Sequence, residues 1–349
     1  LIWIRSTAKG AEKKETDLKK VLIIGTGGIG KRHIRGFLKT GRAKLWVVEP
    51  VEEKRAEVLR DYAIEKGFAD LGQADLTAFD LAVICAPAHV HVPLALKCAE
   101  AGLPFLTEKP LSATLDGVEA LLAKVRGKGI EARVGYVRRS AVELLEMKRQ
   151  LGAGKIGELR MAYMNASQEF PKYRPDYQTT YYAKKAMGGG CILDGASHMI
   201  DLAIWFFGEP LEVSAMYDRL SLTGVECEDC CLIAIRFKSG ALVQISMNQF
   251  QKPNVNTVEV IGTTGNLMLD MSTLRFAADD SGQWAEKNYM EGLRPLEAHE
   301  ARFALQANLM LDTIEGKPSH MATLGEAFLN LKVALAAKQS DREKRIVPV

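Results

Sequence analysis

The chain has no run approaching the roughly 18 consecutive apolar residues that a membrane helix needs, and no excess of either charge. Its 46 Lys and Arg against 43 Asp and Glu leave +3 with His neutral. That balance is too even for a nucleic-acid or membrane partner, and no dense basic patch is interleaved with aromatics. Cysteine is also sparse. Cys85, Cys98, Cys191, Cys227, Cys230 and Cys231 in 349 residues fit reduced, mostly buried thiols better than a disulfide scaffold. In ECEDCC one CxxC pair has neither a second pair nor a nearby His, so no metal is expected there and Cys230 and Cys231 should begin a strand. The first twenty residues, LIWIRSTAKGAEKKETDLKK, lack an apolar core before a small-residue cleavage site and do not read as a signal peptide. The cytoplasm is the expected location.

At this length two domains are expected. In the first half, near-continuous apolar strands at 21–25, 44–48, 80–86, 103–107 and 130–137 are separated by helical patterns at 29–40, 51–66, 91–101 and 114–127. Strands apolar on both faces between helices describe a parallel sheet covered on both sides. Beyond a helix at 140–151, residues 211–270 alternate and are joined by turn signals such as KSGA and TTG, the pattern of an antiparallel, hairpin-connected sheet. Helices return at 298–315 and 321–338. The reading is α/β: a Rossmann dinucleotide-binding domain at 18–138, then an α+β domain at 139–340 built on a large, mostly antiparallel open sheet, with packing of its last helices back on the first domain left open.

VLIIGTGGIGKRH places Gly25, Gly27 and Gly30 directly after the first strand and at the start of a helix. Gly25 makes the turn, Gly27 admits a pyrophosphate, Gly30 lets helix and strand pack, and the N–H groups of the first helical turn, Gly28 and Ile29 among them, receive the negative charge. Glu49, at the end of the second strand, is placed to accept the adenosine ribose hydroxyls, which favours NAD over NADP. Pro87 ends the third strand at the carboxyl edge of the sheet. His89 and His91 follow it; His91 either approaches the cofactor or is a helix-cap or surface residue. Glu108 and Lys109 end the fourth strand at the same edge, where a solvated surface lysine and a site lysine are equally consistent with the pattern.

In GGGCILDGASHMIDLAIWFFG, Asp194, His198 and Asp201 step by four and three and so share one face of a helix. Gly195, Ala196 and Ser197 between them leave room for a second molecule. Three readings stand: a buried Asp–His pair that fixes packing, a metal site without a third ligand, and acid/base chemistry with the His as proton acceptor.

Together these blocks resemble the glucose-fructose oxidoreductase and inositol dehydrogenase (Gfo/Idh/MocA) family: GTGGIGKRH its cofactor loop, CAPAHVH its proline–histidine segment, AEAGLPFLTEKPLS its Glu-Lys-Pro block, and the three-glycine helix its Asp–His–Asp helix. The resemblance runs from about residue 20 to 340. It implies Lys109 as catalytic lysine, Asp194 as substrate-side aspartate and His198 as acid/base, with Gly25, Gly27, Gly28, Ile29, Gly30, Glu49, Pro87, His91, Glu108 and Lys109 around NAD. It also implies a homodimer or homotetramer formed through the second sheet. The expected activity is reversible hydride transfer between NAD and a secondary alcohol or ketone of a sugar, cyclitol or sugar derivative. Alternatives are transient oxidation serving elimination or glycoside cleavage, and a non-catalytic dinucleotide binder. Asp201 is expected to serve the fold, and residues 166–187 to set substrate specificity.

Overall fold

The computed structural model describes residues 18–278, 283–289, 291 and 295–349; the N-terminal stretch read for a leader lies, up to residue 17, outside them. The first sheet starts with β1 (Lys19–Ile24), flanked in parallel by β2 (Ala43–Val48) and β4 (Leu81–Ile84). β3 (Lys66–Phe68), β5 (Phe105–Thr107) and β6 (Ala132–Val134) extend it, and β15 (Ala322–Thr323) adds an antiparallel edge, giving the order β15-β6-β5-β4-β1-β2-β3. The order in which successive strands are added across the sheet reverses between β1 and β4. A crevice at the carboxyl ends of those strands is where such a sheet receives its ligand.

Helices α1 (Gly28–Thr40), α2 (Glu52–Asp61), α3 (His91–Glu100) and α4 (Val118–Lys128) connect these strands. The helix expected over 51–66 stops at Asp61, where Tyr62 turns extended, and Lys66–Phe68 pairs with β2 instead. Gly67 permits this, since a Cβ there would sit 2.9 Å from the Arg55 side chain. With one apolar residue in three, the segment carried no strand signal of its own.

The second sheet has the order β14-β13-β12-β11-β7-β10-β9-β8-β16. Its centre is β7 (Leu159–Asn165), parallel to β10 (Leu242–Asn248) and antiparallel to β11 (Thr257–Gly262). β8 (Pro210–Asp218), β9 (Cys230–Phe237), β12 (Asn266–Asp270), β13 (Thr273–Ala277), β14 (Ala285–Asn288) and β16 (Val347–Pro348) complete it with antiparallel pairs. In β9, Cys231, Ile233, Ile235 and Phe237 face inward and alternate with outward residues, as a sheet packed on one face requires. Its inner face is covered by α6 (Ser197–Phe207) and α8 (Leu324–Glu343), while α5 (Val142–Gly152) lies against β12 and β13. Residues 185–207 have the length and apolar composition of a membrane span, but most of that stretch is buried inside the molecule, as in a core helix.

The chain then returns to the first sheet. In α7 (Pro295–Ile314), Ala307, Met310 and Leu311 join the core formed by Val21, Ile23, Ile34 and Phe37. Gly36 makes the contact close, since a Cβ there would meet the Phe303 carbonyl at 2.9 Å.

Candidate active site

The glycine loop meets the steric demands of a pyrophosphate cradle. Gly25 has φ +95°, and an added Cβ would stand 3.0 Å from the Cys85 carbonyl, so β1 can leave the sheet only through glycine. At Gly30 a Cβ would fall 2.1 Å from the Gly25 carbonyl oxygen, whereas at Gly27 and Gly28 it would meet nothing within 4 Å. Helix α1 starts there without a side-chain cap or an acidic residue in its first turn. Its leading N–H groups are therefore available to an anion.

Glu49 is already engaged. Its Oε2 accepts from the Thr26 amide and hydroxyl, both at 2.9 Å, and its Oε1 from the Val51 amide at 3.1 Å. The carboxylate thus ties the glycine loop to β2, and of about four acceptor positions one is left for a ribose hydroxyl. Accepting both hydroxyls, as expected from the sequence, would require releasing Thr26 or Val51.

His91 and Glu108 differ from expectation in a similar way. The His91 ring is buried, with Nδ1 2.9 Å from the Pro110 carbonyl and Nε2 2.7 Å from the Ala86 carbonyl. Both nitrogens are occupied by backbone, so the ring fastens the loop after Pro87 to the one after Lys109 and offers no free nitrogen to a cofactor. Glu108 is buried against His33 Nε2 at 2.7 Å, and its other oxygen accepts from the Lys109 amide at 3.2 Å. Both residues shape the carboxyl edge from beneath.

Lys109 reaches from that edge to the three-glycine helix. Its Nζ donates to the Asp194 carbonyl and to Asp194 Oδ1, both at 2.8 Å, and one of three ammonium N–H donors remains. Tyr181 Oη also donates to Asp194 Oδ1 at 2.8 Å. Burial alone would raise the Asp194 carboxyl, but the Lys109 charge and the hydrogen bonds from Lys109 and Tyr181 outweigh it and hold the carboxyl below its ordinary value. The helix is not regular here. Residues Ile192–Ala196 form a π turn that leads into α6, and the widened turn lets the Lys109 ammonium and the Ser197 hydroxyl (3.2 Å) reach the Asp194 carbonyl.

His198 follows one turn later. Its Nδ1 is enclosed without a hydrogen-bond partner, while the residue as a whole is only partly buried. Tyr136 meets the ring edge-on with centroids 6.0 Å apart. Burial, then the charges of Lys109 and Arg138, push the imidazole well below its ordinary value, and Asp194 opposes them only in part. No hydrogen bond joins Asp194 to His198 among the described residues, so the aspartate is the lysine's partner and does not orient the imidazole.

The glycines behave as close-approach positions. A Cβ at Gly189 would fall 2.2 Å from the Tyr182 carbonyl oxygen, and one at Gly190 2.5 Å from Glu228 Oε1. At Gly195 it would collide with Met247 Cε at 2.0 Å. Gly195 therefore makes room for the Met247 side chain of the second sheet while staying half-buried itself, whereas Ala196 and Ser197, expected from the sequence to leave space for a second molecule, are buried. Asp201 turns away to a buried pair with Arg139, Nη2 to Oδ1 2.8 Å and Nε to Oδ2 3.0 Å, and Glu326 receives Nη1 at 2.9 Å. Removing one partner of such a pair alone costs about 3–5 kcal/mol by stranding the other charge.

Tyr136 and Arg138 fall in GYVRR (Gly135 to Arg139), which the sequence already pointed to as pocket lining between the domains, whereas Tyr181 and His33 were not singled out from the sequence. His33 had a signal in its place eight residues after Gly25 on the cofactor helix. Tyr181 had only the aromatic richness of 166–187.

Residues 19–136 match the model of the oxidoreductase family with an NAD-binding Rossmann fold, and residues 144–268 match the GFO/IDH/MocA C-terminal domain. Among known proteins, the chain is 25% identical to scyllo-inositol 2-dehydrogenase (NAD(+)) of Bacillus subtilis (strain 168), covering 92% of this chain and 93% of that one. It is 24% identical to myo-inositol 2-dehydrogenase of Thermotoga maritima, over 94% and 98% of the two chains. Among solved structures, levoglucosan dehydrogenase in complex with NADH and levoglucosan superposes with a TM-score of 0.85 at 23% identity, covering 95% of this chain and 99% of that one.

Proposed function

Because the chain belongs to the GFO/IDH/MocA oxidoreductase family, we propose that it is an NAD-dependent dehydrogenase of a secondary alcohol on a sugar, cyclitol or sugar derivative. The observation that carries this reading is the meeting of Lys109, Asp194 and an uncharged His198 at the carboxyl edge of the Rossmann sheet. The inositol and levoglucosan dehydrogenases it resembles support the substrate class.

We assign residues 18–138 to the cofactor and 139–340 to the substrate. The amides of Gly27, Gly28, Ile29 and Gly30 would hold the pyrophosphate, Glu49 a ribose hydroxyl through its remaining acceptor position, and Pro87, Glu108 and Lys109 the nicotinamide end, with His91 fixing the loops beneath. NAD, when bound, supplies the acceptor for the electron pair and hydrogen leaving the alcohol carbon. In the oxidation direction His198 Nε2 takes the hydroxyl proton, and the third Lys109 N–H hydrogen-bonds the same oxygen and stabilises its developing negative charge. Asp194 Oδ2 accepts from an adjacent hydroxyl.

A panel of inositols, polyols and sugars incubated with NAD should yield NADH fluorescence with at least one secondary alcohol. Product from a glycoside with no net NADH would instead indicate transient oxidation, and NAD binding without any turnover would remove the enzymatic reading.

The outer face of the second sheet supports a homo-oligomer. Met216, Leu232, Tyr163 and Leu242 lie on that face and are all exposed, Met216 to 64%. Sedimentation velocity should show a mass of at least two chains; a single 38.4 kDa species would exclude it. Six free cysteines support a reducing compartment such as the cytoplasm.

A further inference from the structure

The stretch 166–187, expected from the sequence to set substrate specificity, is packed as a fixed wall. Tyr182 is buried, and its ring packs on Phe170 with centroids 4.3 Å apart, in a small apolar cluster that also takes in Tyr177, Leu222 and Val225. Tyr181, one residue earlier, is 40% exposed. Both of its ends are fixed to the three-glycine stretch. Its carbonyl oxygen lies so close to Gly189 that a Cβ there would stand 2.7 Å from it, and its hydroxyl donates to Asp194 Oδ1 at 2.8 Å. Lys109 Nζ shares that oxygen, also at 2.8 Å, which leaves Oδ2 for the substrate. The segment's other exposed ring, Tyr173, is bonded to Asn254 at 2.8 Å. Among the described residues of the segment, Tyr181 is therefore the one aromatic that lies beside the reacting groups with part of its surface uncovered.

A phenol whose hydroxyl is spent on a carboxylate and whose ring stays open suits a ligand with a polar rim and an apolar face. Pyranoses and cyclitols have that form, because equatorial hydroxyls leave axial C–H bonds on the ring faces; an open-chain polyol has no such face. We propose that Tyr181 determines substrate specificity: its ring packs against the C–H face of a cyclic substrate, and its hydroxyl keeps Asp194 turned toward that substrate's hydroxyls. This role rests on the dehydrogenase reading and narrows its substrates to ring-form sugars and cyclitols.

The test compares ring and open-chain forms of one skeleton, 1,5-anhydro-D-glucitol against D-glucitol, with myo-inositol as a second ring probe. NAD-dependent initial rates are measured alongside calorimetric titration of the NADH-saturated protein. At least one ring probe should surpass D-glucitol by about tenfold or more in kcat/KM and in affinity. Tyr181→Leu should erase most of that preference through KM, with NADH affinity unchanged. Tyr181→Phe, which keeps the ring, should retain the preference and lower kcat for ring and open-chain probes alike, by about threefold to tenfold, because Asp194 loses one hydrogen bond. Equal handling of ring and open-chain probes by the wild type, or a preference untouched in Tyr181→Leu, overturns the proposal. So does loss of the preference in Tyr181→Phe, which would assign it to the hydroxyl, and loss of NADH affinity in Tyr181→Leu, which would assign the residue to cofactor binding or to the fold. Ring-selective binding that Tyr181→Leu abolishes, without turnover of any probe, would sink the dehydrogenase reading and keep the ring site; turnover indifferent to ring form would do the opposite.

Discussion

Lys109→Ala is expected to lower kcat by about two orders of magnitude or more while NADH binding, followed by fluorescence titration, persists. Two losses combine. The alcohol oxygen loses the one ammonium N–H not already committed to Asp194, so negative charge developing on it is no longer stabilised. Asp194 also loses the cation that holds its carboxyl down, which leaves chiefly the Tyr181 hydrogen bond to oppose the burial that raises it. The sign of the linkage follows. A carboxyl depressed in the folded state stabilises the protein above its unfolded value of about 4 and loses that contribution as pH falls through its folded value. The variant should therefore be less stable near neutral pH, with a smaller further loss on acidification. Lys109→Arg should not rescue turnover, because a planar fork cannot reproduce a point donor bonded at once to the Asp194 carbonyl and carboxylate. Turnover within about threefold of wild type on the true substrate, against the hundredfold scale of such contacts, would remove Lys109 from the chemistry.

How much of this was legible in the sequence depends on how local each cause is. Gly25 and Gly30 could be read because a tight turn and a close helix contact impose glycine at fixed spacing, and the structure shows both constraints within one turn of chain. The parallel sheet was legible for the same reason, since β1, β2 and β4 are buried on both faces. What escaped depends on distant partners. The π turn at Ile192–Ala196 leaves an Asp194 carbonyl for Lys109, 85 residues away in sequence, and helical stepping by four and three assumes a regular turn that this contact breaks. Ala196 and Ser197 were read as approachable but pack into the core, and Met247, from another strand, fills one side of Gly195. Glu49 was correctly placed at the end of β2, but its bonds to Thr26 depend on how closely the two loops approach. Short polar strands such as β14, AEKN, carry no alternation and owe their pairing to β13.

His198→Ala tests the other half of the mechanism, and its information lies in the pH profile. In wild type the imidazole is held well below its ordinary 6.5 by burial, Lys109 and Arg138. It is therefore unprotonated and able to accept the alcohol proton at neutral pH, and the acid limb of kcat/KM should fall clearly below pH 6.5. Removing the ring should cost about 10²-fold or more in kcat at neutral pH, and the residual rate should rise with pH as hydroxide replaces the missing base. Arg138→Gln supplies the control that a purely structural histidine would not pass. With one neighbouring cation gone, the imidazole should protonate more readily and the acid limb should move to higher pH, while His198 itself remains in place. An acid limb unchanged in both variants would mean that a different group accepts the proton. The hydroxyl would then have to be deprotonated through Lys109 or Asp194, the ion pair that the carboxyl edge and the three-glycine helix bring together at this point.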